Sequence, residues 1–123
     1  MDSTRRKVRA AVTNEILGEI IRVLIAKAEN EELLESMLVR LAKELNDFTF
    51  LESVYNIPEF MEILTSLSQD AKLRCGYTDR IHIAMAAYHQ IKFFTFDEKI
   101  KGDKTTINSL LLEYDRQLRL YPQ

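Results

Sequence analysis

Three acidic residues are spaced so that regular elements could deliver them to one place. Thr78-Asp79-Arg80-Ile81-His82-Ile83-Ala84-Met85-Ala86-Ala87 reads as an acid opening an apolar helix, and Phe94-Thr95-Phe96-Asp97 as an acid closing the strand that follows. A helix to about Gln90 covers about 18 Å, and a five-residue strand returns about 17 Å. Asp97 is therefore expected level with Asp79. Glu19 falls six residues past Thr13, a good N-cap, which is about 9 Å along its helix. Helical side chains lean back toward the N-terminus, so Glu19 can reach the same edge. Crowded carboxylates favour a cation between them. A hard ion with oxygen ligands, Mg²⁺ or Mn²⁺, suits such a set and supports attack of water on a phosphate ester. Each acid also has an ordinary local role available. Asp79 can complement a helix dipole, Glu19 can pair with Arg22 at i+3, and Asp97 can begin the turn Asp97-Glu98-Lys99.

The elements that must position these acids follow from periodicity and caps. Val8–Val12 reads as a strand, and Thr13 caps a helix to about Glu29. The stripe Ile16, Leu17, Ile20, Ile21, Leu24 and Ala28 implies burial of that helix against a sheet. Asn30 to Leu45 forms a second helix. Phe48–Val54 alternates as a strand, and Pro58 starts a helix to about Ser68. Gln69 to Tyr77 connects to a helix capped by Thr78. Lys92–Phe96 is a strand rich in Phe and Thr. Lys99–Lys104 reads as loop, and Thr106–Leu118 as a last helix. Strands alternating with helices imply an α/β fold with a parallel sheet flanked by helices. Ligands in such sheets bind beyond the carboxyl ends of the strands.

The totals bound the alternatives. At 123 residues, 46% hydrophobic and 29% charged, the chain reads as one domain, residues 1–123, able to bury a core. Three Gly and two Pro favour long helices over a many-turned barrel. A net charge of −2 gives no global basic field. Basic residues cluster locally at Arg5, Arg6, Lys7 and Arg9, and again at Lys99, Lys101 and Lys104. Cys75 is the single cysteine, which excludes an internal disulfide and fits a reducing, cytoplasmic setting. No apolar run approaches the roughly 20 residues of a membrane span. His82 and His89 lie seven apart, not at the i, i+4 spacing of a helical metal pair. Cys75 has no evident base and reads as a plain thiol. Phe93, Phe94 and Phe96 read as core and sheet material rather than as a base-stacking platform.

The quoted segments resemble the PIN-domain family. Asp79-Arg-Ile-His-Ile-Ala-Met-Ala looks like its third acidic motif, and Phe94-Thr-Phe-Asp97 like its fourth. Val12-Thr-Asn-Glu-Ile-Leu-Gly-Glu19-Ile resembles its second. The likeness covers about residues 7–100. It implies a three-layer, helix-rich α/β fold and a divalent-metal-dependent ribonuclease, the activity of many members, including the toxin halves of toxin–antitoxin pairs. By that resemblance Glu19, Asp79 and Asp97 are metal ligands for Mg²⁺ or Mn²⁺. Thr95 is a hydrogen-bond partner standing behind them. Arg5, Arg6, Lys7 and Arg9 are candidates for contacting an RNA backbone. An antitoxin-like protein is a candidate partner.

The start of the chain departs from that pattern. The family opens with an apolar strand ending in Asp, whereas this chain reads Met1-Asp2-Ser3-Thr4-Arg5-Arg6. The family's first ligand is therefore not carried to Asp2, and the N-terminal strand is expected to be missing or truncated. Val8–Val12 must then pair directly with Lys92–Phe96, or an edge stays open and invites a homodimer. The alternative function is a non-catalytic binding or assembly module that keeps the fold.

Overall fold

The computed structural model describes residues 10–122. Its elements gather into two compact units, one through Ser53 and one from Val54. Arg5, Arg6, Lys7, Val8 and Arg9 lie outside the described residues.

In the first unit, strand β1 (Ala11–Thr13) leads directly into helix α1 (Asn14–Lys27). Thr13 makes the junction. Its backbone is extended, while its hydroxyl accepts the Ile16 N–H at 3.1 Å, satisfying one of the helix's open donors. Asn30 does the same for helix α2 (Glu31–Leu45), accepting from the Leu33 N–H at 2.8 Å. Strand β2 (Thr49–Leu51) then runs parallel to β1, with Ala11 opposite Thr49 and Thr13 opposite Leu51. Parallel neighbours need a long crossover, and α1 with α2 supplies it. The apolar stripe of α1 does not find the burial expected of it. No residue of α1 or α2 is fully buried, and Ile20, Val23, Ile25, Leu33 and Val39 are exposed. Strands of three residues offer too little face to cover two helices of 14 and 15 residues.

The second unit holds a continuous core. Helix α3 (Pro58–Gln69) starts with Pro58, whose missing N–H costs nothing in a first turn. Helix α4 (Tyr77–Tyr88) follows, then strand β3 (Lys92–Phe94), helix α5 (Glu98–Leu111), a 3₁₀ turn (Leu112–Tyr114) and strand β4 (Arg119–Tyr121). Phe60, Ile63 and Leu67 of α3 meet Ile83, Ala84 and Ala87 of α4, and Ile107 and Leu111 of α5, in one buried cluster. The small side chains at positions 84, 86 and 87 let α4 sit deep in that cluster, with every residue from His82 to Ala87 buried. Strand β4 runs parallel to β3, Lys92 opposite Arg119 and Phe94 opposite Tyr121.

Several sequence expectations shift here. The partner of β1 is β2 and that of β3 is β4; the sequence left Val8–Val12 either to pair with Lys92–Phe96 or to leave an edge open, and Val8 and Arg9 lie outside the described residues. Lys99–Lys104 is helical, because Asp97 caps α5 earlier than expected. The last helix stops at Leu111, and the chain turns through Asp115 at φ 55° into β4, which the sequence pattern did not suggest. Gly76, not Thr78, precedes the first turn of α4. Phe94 and Phe96 are exposed, while Phe93 alone of the three packs on the core.

The connector from α3 to α4 carries the most specific packing in the unit. The Arg80 side chain is buried and donates to five main-chain carbonyls. Its Nη1 reaches Leu67, Ser68 and Asp70 at 3.0, 3.0 and 3.4 Å, its Nη2 reaches Leu73 at 3.1 Å, and its Nε reaches Cys75 at 3.2 Å. Leu67 and Ser68 lie in the last turn of α3, whose carbonyls have no helical partner and carry the negative end of the dipole. Asp103 of α5, also buried, takes the N–H groups of Arg74 and Cys75 on Oδ2 at 2.8 and 3.0 Å. One cation thus satisfies the connector's acceptors and one anion its donors.

Two outcomes follow for stability. Arg80→Met keeps much of the side chain's length but leaves five main-chain carbonyls without their donor. Its unfolding free energy, from urea titration, is expected to fall by about 3–5 kcal/mol. His89 at the end of α4 is held below the usual histidine pKa by burial, and its Nε2 has no hydrogen-bond partner among the described residues. The unfolded chain therefore takes up the proton first as pH falls, so stability contributed by neutral His89 is present above the ordinary histidine pKa, about 6.5, and lost below it. His89→Gln is expected to flatten the acid limb of thermal melts recorded between about pH 7 and pH 5.

Candidate functional site

Asp79 and Asp97 are positioned by consecutive elements of the second unit. Helix α4 ends in a reversal of the chain. The Gln90 N–H bonds the Ala87 carbonyl at 3.2 Å, the Ile91 N–H bonds the Ala86 carbonyl at 3.0 Å, and Gln90 takes φ 57°. That pattern of bonds closes a helix and turns the chain back. Strand β3 then runs against α4 toward the end where α4 began. Asp79 lies in the first turn of α4, half-buried, and Asp97 lies just beyond β3, exposed. Both acids therefore sit at the end of the unit where β3 finishes.

Their local bonding differs. A Cβ added to Gly76 would lie 3.8 Å from Asp79 Oδ2, so this carboxylate folds back over the helix start. No hydrogen bond or ion pair to a described residue engages it. Asp97 is bound into its own helix as the N-cap of α5, with Oδ1 accepting the Lys99 N–H at 2.8 Å. Its own N–H donates to Thr95 Oγ1 at 3.0 Å, and the Thr95 N–H donates to the Tyr121 carbonyl at 2.9 Å. Thr95 thereby ties Asp97 to the β3–β4 ladder. Glu19 belongs to the first unit, on α1, half-buried. Among the described residues no group of three or more His, Cys, Asp or Glu side chains could hold a metal ion. The described residues therefore do not make a ready three-ligand centre, and Asp2 lies outside them.

Other chemically capable groups are committed elsewhere. Burial first, then the hydrogen bond and charge of Asp103, push the Cys75 thiol up against the smaller lowering effect of Arg80. Cys75 is thus an inert, protonated thiol at neutral pH. A cleft of about 490 Å³ lies at the opposite end of the second unit, lined by Gln90, Asn108, Asp115, Arg116 and Arg119 among others. Each of its arginines makes a contact within the fold. Arg119 Nη2 donates to the Gln90 carbonyl at 2.6 Å, and Arg116 pairs with Glu59 at 3.4 Å across the face of Tyr88.

Sequence reasoning passed over Arg80 and Asp103, the residues that fix the approach to Asp79. The available signal was an arginine inside an otherwise apolar helix, where an unpaired charge does not survive burial. It also misassigned Phe94 and Phe96, because a run of Phe does not say which face of a strand meets solvent.

The family model for the PIN domain matches residues 3–102. The chain belongs to the PIN-domain family, and the helix-rich α/β architecture with short parallel ladders agrees with that membership. No curated protein and no solved structure matches it. Among the described residues no helix is long and apolar enough to cross a membrane.

The capping role of Asp97 is separable from its charge by substitution. Asparagine caps helices as well as aspartate, whereas alanine does not. Asp97→Asn is expected to leave the melting temperature unchanged, and Asp97→Ala to lower stability by about 0.5–2 kcal/mol, read from paired denaturation curves.

Proposed function

We propose that this chain is a PIN domain of the divalent-metal-dependent ribonuclease type, or a degenerate relative of one. Glu19, Asp79 and Asp97 are its acidic residues, Mg²⁺ or Mn²⁺ its cation, and RNA its substrate. The observation that carries the reading is the family match, which spans all three acids and crosses from the first unit into the second. On that ground residues 1–123 act as one functional domain. Asp79 and Asp97, each opening a helix at the end where β3 finishes, support the same assignment. Thr95 positions Asp97 through its hydroxyl. The N-terminal run Arg5, Arg6, Lys7 and Arg9 would meet the RNA backbone, and the lone thiol suits the cytoplasm. With only three acids assigned to it, the cation is weakly held.

A second reading rests on a different observation. Helices α1 and α2 expose Ile20, Val23, Ile25, Leu33 and Val39, apolar side chains that a partner would cover. In this reading the domain is a non-catalytic assembly module, and its partner is a second copy or an antitoxin-like protein.

Calorimetric titration with Mn²⁺ separates the two. The ribonuclease reading expects weak binding that disappears in the Asp79→Asn, Asp97→Asn double variant, with Mn²⁺-dependent RNA cleavage lost in parallel. Absence of binding to the native chain, together with elution as a dimer that Val23→Glu splits, would favour the assembly module.

A further inference from the structure

Strands β3 and β4 alternate strictly. Phe93 and Leu120 point to the core, while Lys92, Phe94, Arg119 and Tyr121 point outward. Phe96, two residues beyond Phe94, continues the outer row. These rings are not hidden: Phe94 is 61%, Phe96 68% and Tyr121 54% exposed. Yet they are organised. Phe94 meets Phe96 edge to face with centroids 5.1 Å apart and leans over Tyr121 at 5.7 Å. The Lys101 ammonium stands 5.9 Å from the centre of the Phe96 ring.

Charge tells what such a surface would take. Lys92 and Arg119 are register partners, each two residues before Phe94 and Tyr121 respectively, about 6.6 Å along the strands. No acid occurs in either strand. The row thus reads two cations, three rings and a third cation, ending at Asp97. Arg119 is steadied by its bond to the Gln90 carbonyl, which uses one of five guanidinium donors. Lys101 lies 3.8 Å from the Glu98 carboxylate, whereas an apolar protein partner would cover the rings but leave Lys92 and Arg119 without a counter-charge. A strand of unpaired nucleotides answers both, since bases stack on aromatic faces and phosphates pair with Lys and Arg. A duplex hides its bases and cannot. Arg119 and Tyr121 lie beyond the span matched by the family, so this surface depends on the chain's own C-terminal strand.

We propose that Phe94, Phe96 and Tyr121 form a base-stacking platform for single-stranded RNA, with Lys92, Arg119 and Lys101 receiving its phosphates and Asp97 at its end. The choice of RNA rests on the ribonuclease reading, whereas the stacking itself rests on the rings and cations.

The test is fluorescence anisotropy of the full chain with a labelled, unstructured RNA of about 12 nucleotides, within the usual span of a single-strand groove. EDTA is present throughout, so that neither cleavage nor metal enters. Phe94→Ala and Phe96→Ala are each expected to weaken binding about 5- to 100-fold, with melting curves confirming that the variants fold. The same sequence as duplex is expected to bind far more weakly, and as DNA no more tightly. The proposal is overturned if the native chain does not bind, if the folded Phe94→Ala, Phe96→Ala, Tyr121→Ala variant binds unchanged, or if DNA is clearly preferred. It is also overturned if that variant only converts a dimer to a monomer. Ring-dependent binding by a chain that cleaves nothing would sustain the platform and defeat the nuclease. Cleavage with KM indifferent to the rings would do the reverse.

Discussion

A buried guanidinium organises the second unit. The segment from Leu67 to Cys75 leaves α3, crosses to α4 and has no ladder to satisfy its main chain. Unpaired buried carbonyls are costly, so such a segment ordinarily stays on the surface. Arg80 changes that by turning one planar guanidinium to five carbonyls at once, and Asp103 answers the N–H groups of Arg74 and Cys75. Lysine could not substitute, having three donors around a single point. Because Arg80 belongs to the first turns of α4, the bonds that hold the connector also fix where that helix begins. Asp79 is its neighbour in sequence, so the acid inherits a defined position from a contact it does not make.

The two units are stabilised differently. All the residues of the main buried cluster belong to the second, where three helices and a short parallel ladder close around Phe60, Ile83 and Ile107. The first keeps its caps and its ladder but, among its described residues, buries only Val12 and Thr13. Hydrogen-bonded ends define where α1 and α2 start, yet they contribute about 1 kcal/mol each, whereas burial of one large apolar side chain contributes about 1.5–3 kcal/mol. Local order and packing are thus distributed unequally, and local opening is expected to be easiest where burial is least.

Asp79 and Asp97 show how a helix start holds an acid in place. A helix start presents N–H groups and a positive dipole end, which hold a carboxylate whatever else it does. Asp97 uses one oxygen for α5 and is itself held by Thr95. The same ladder that anchors Thr95 carries the outward rings of Phe94 and Tyr121, so acid and aromatic row are aligned by a single pair of strands.

Much of this was legible in the amino-acid order, because caps and periodicity act over three or four residues. Thr13, Asn30 and Pro58 announce helix starts that the structure keeps, and the motif around Asp79 and Asp97 announces the family. What the order of residues left open was every choice made at longer range. Arg119–Tyr121 becomes a strand because β3 offers it a ladder, not because three residues prefer one. Lys99–Lys104 becomes helical because Asp97 caps it. Whether Phe94 faces core or solvent, and whether Arg80 meets water or five carbonyls, is decided by neighbours distant in sequence. A side chain's burial is a property of what packs on it, and only the tertiary structure supplies that.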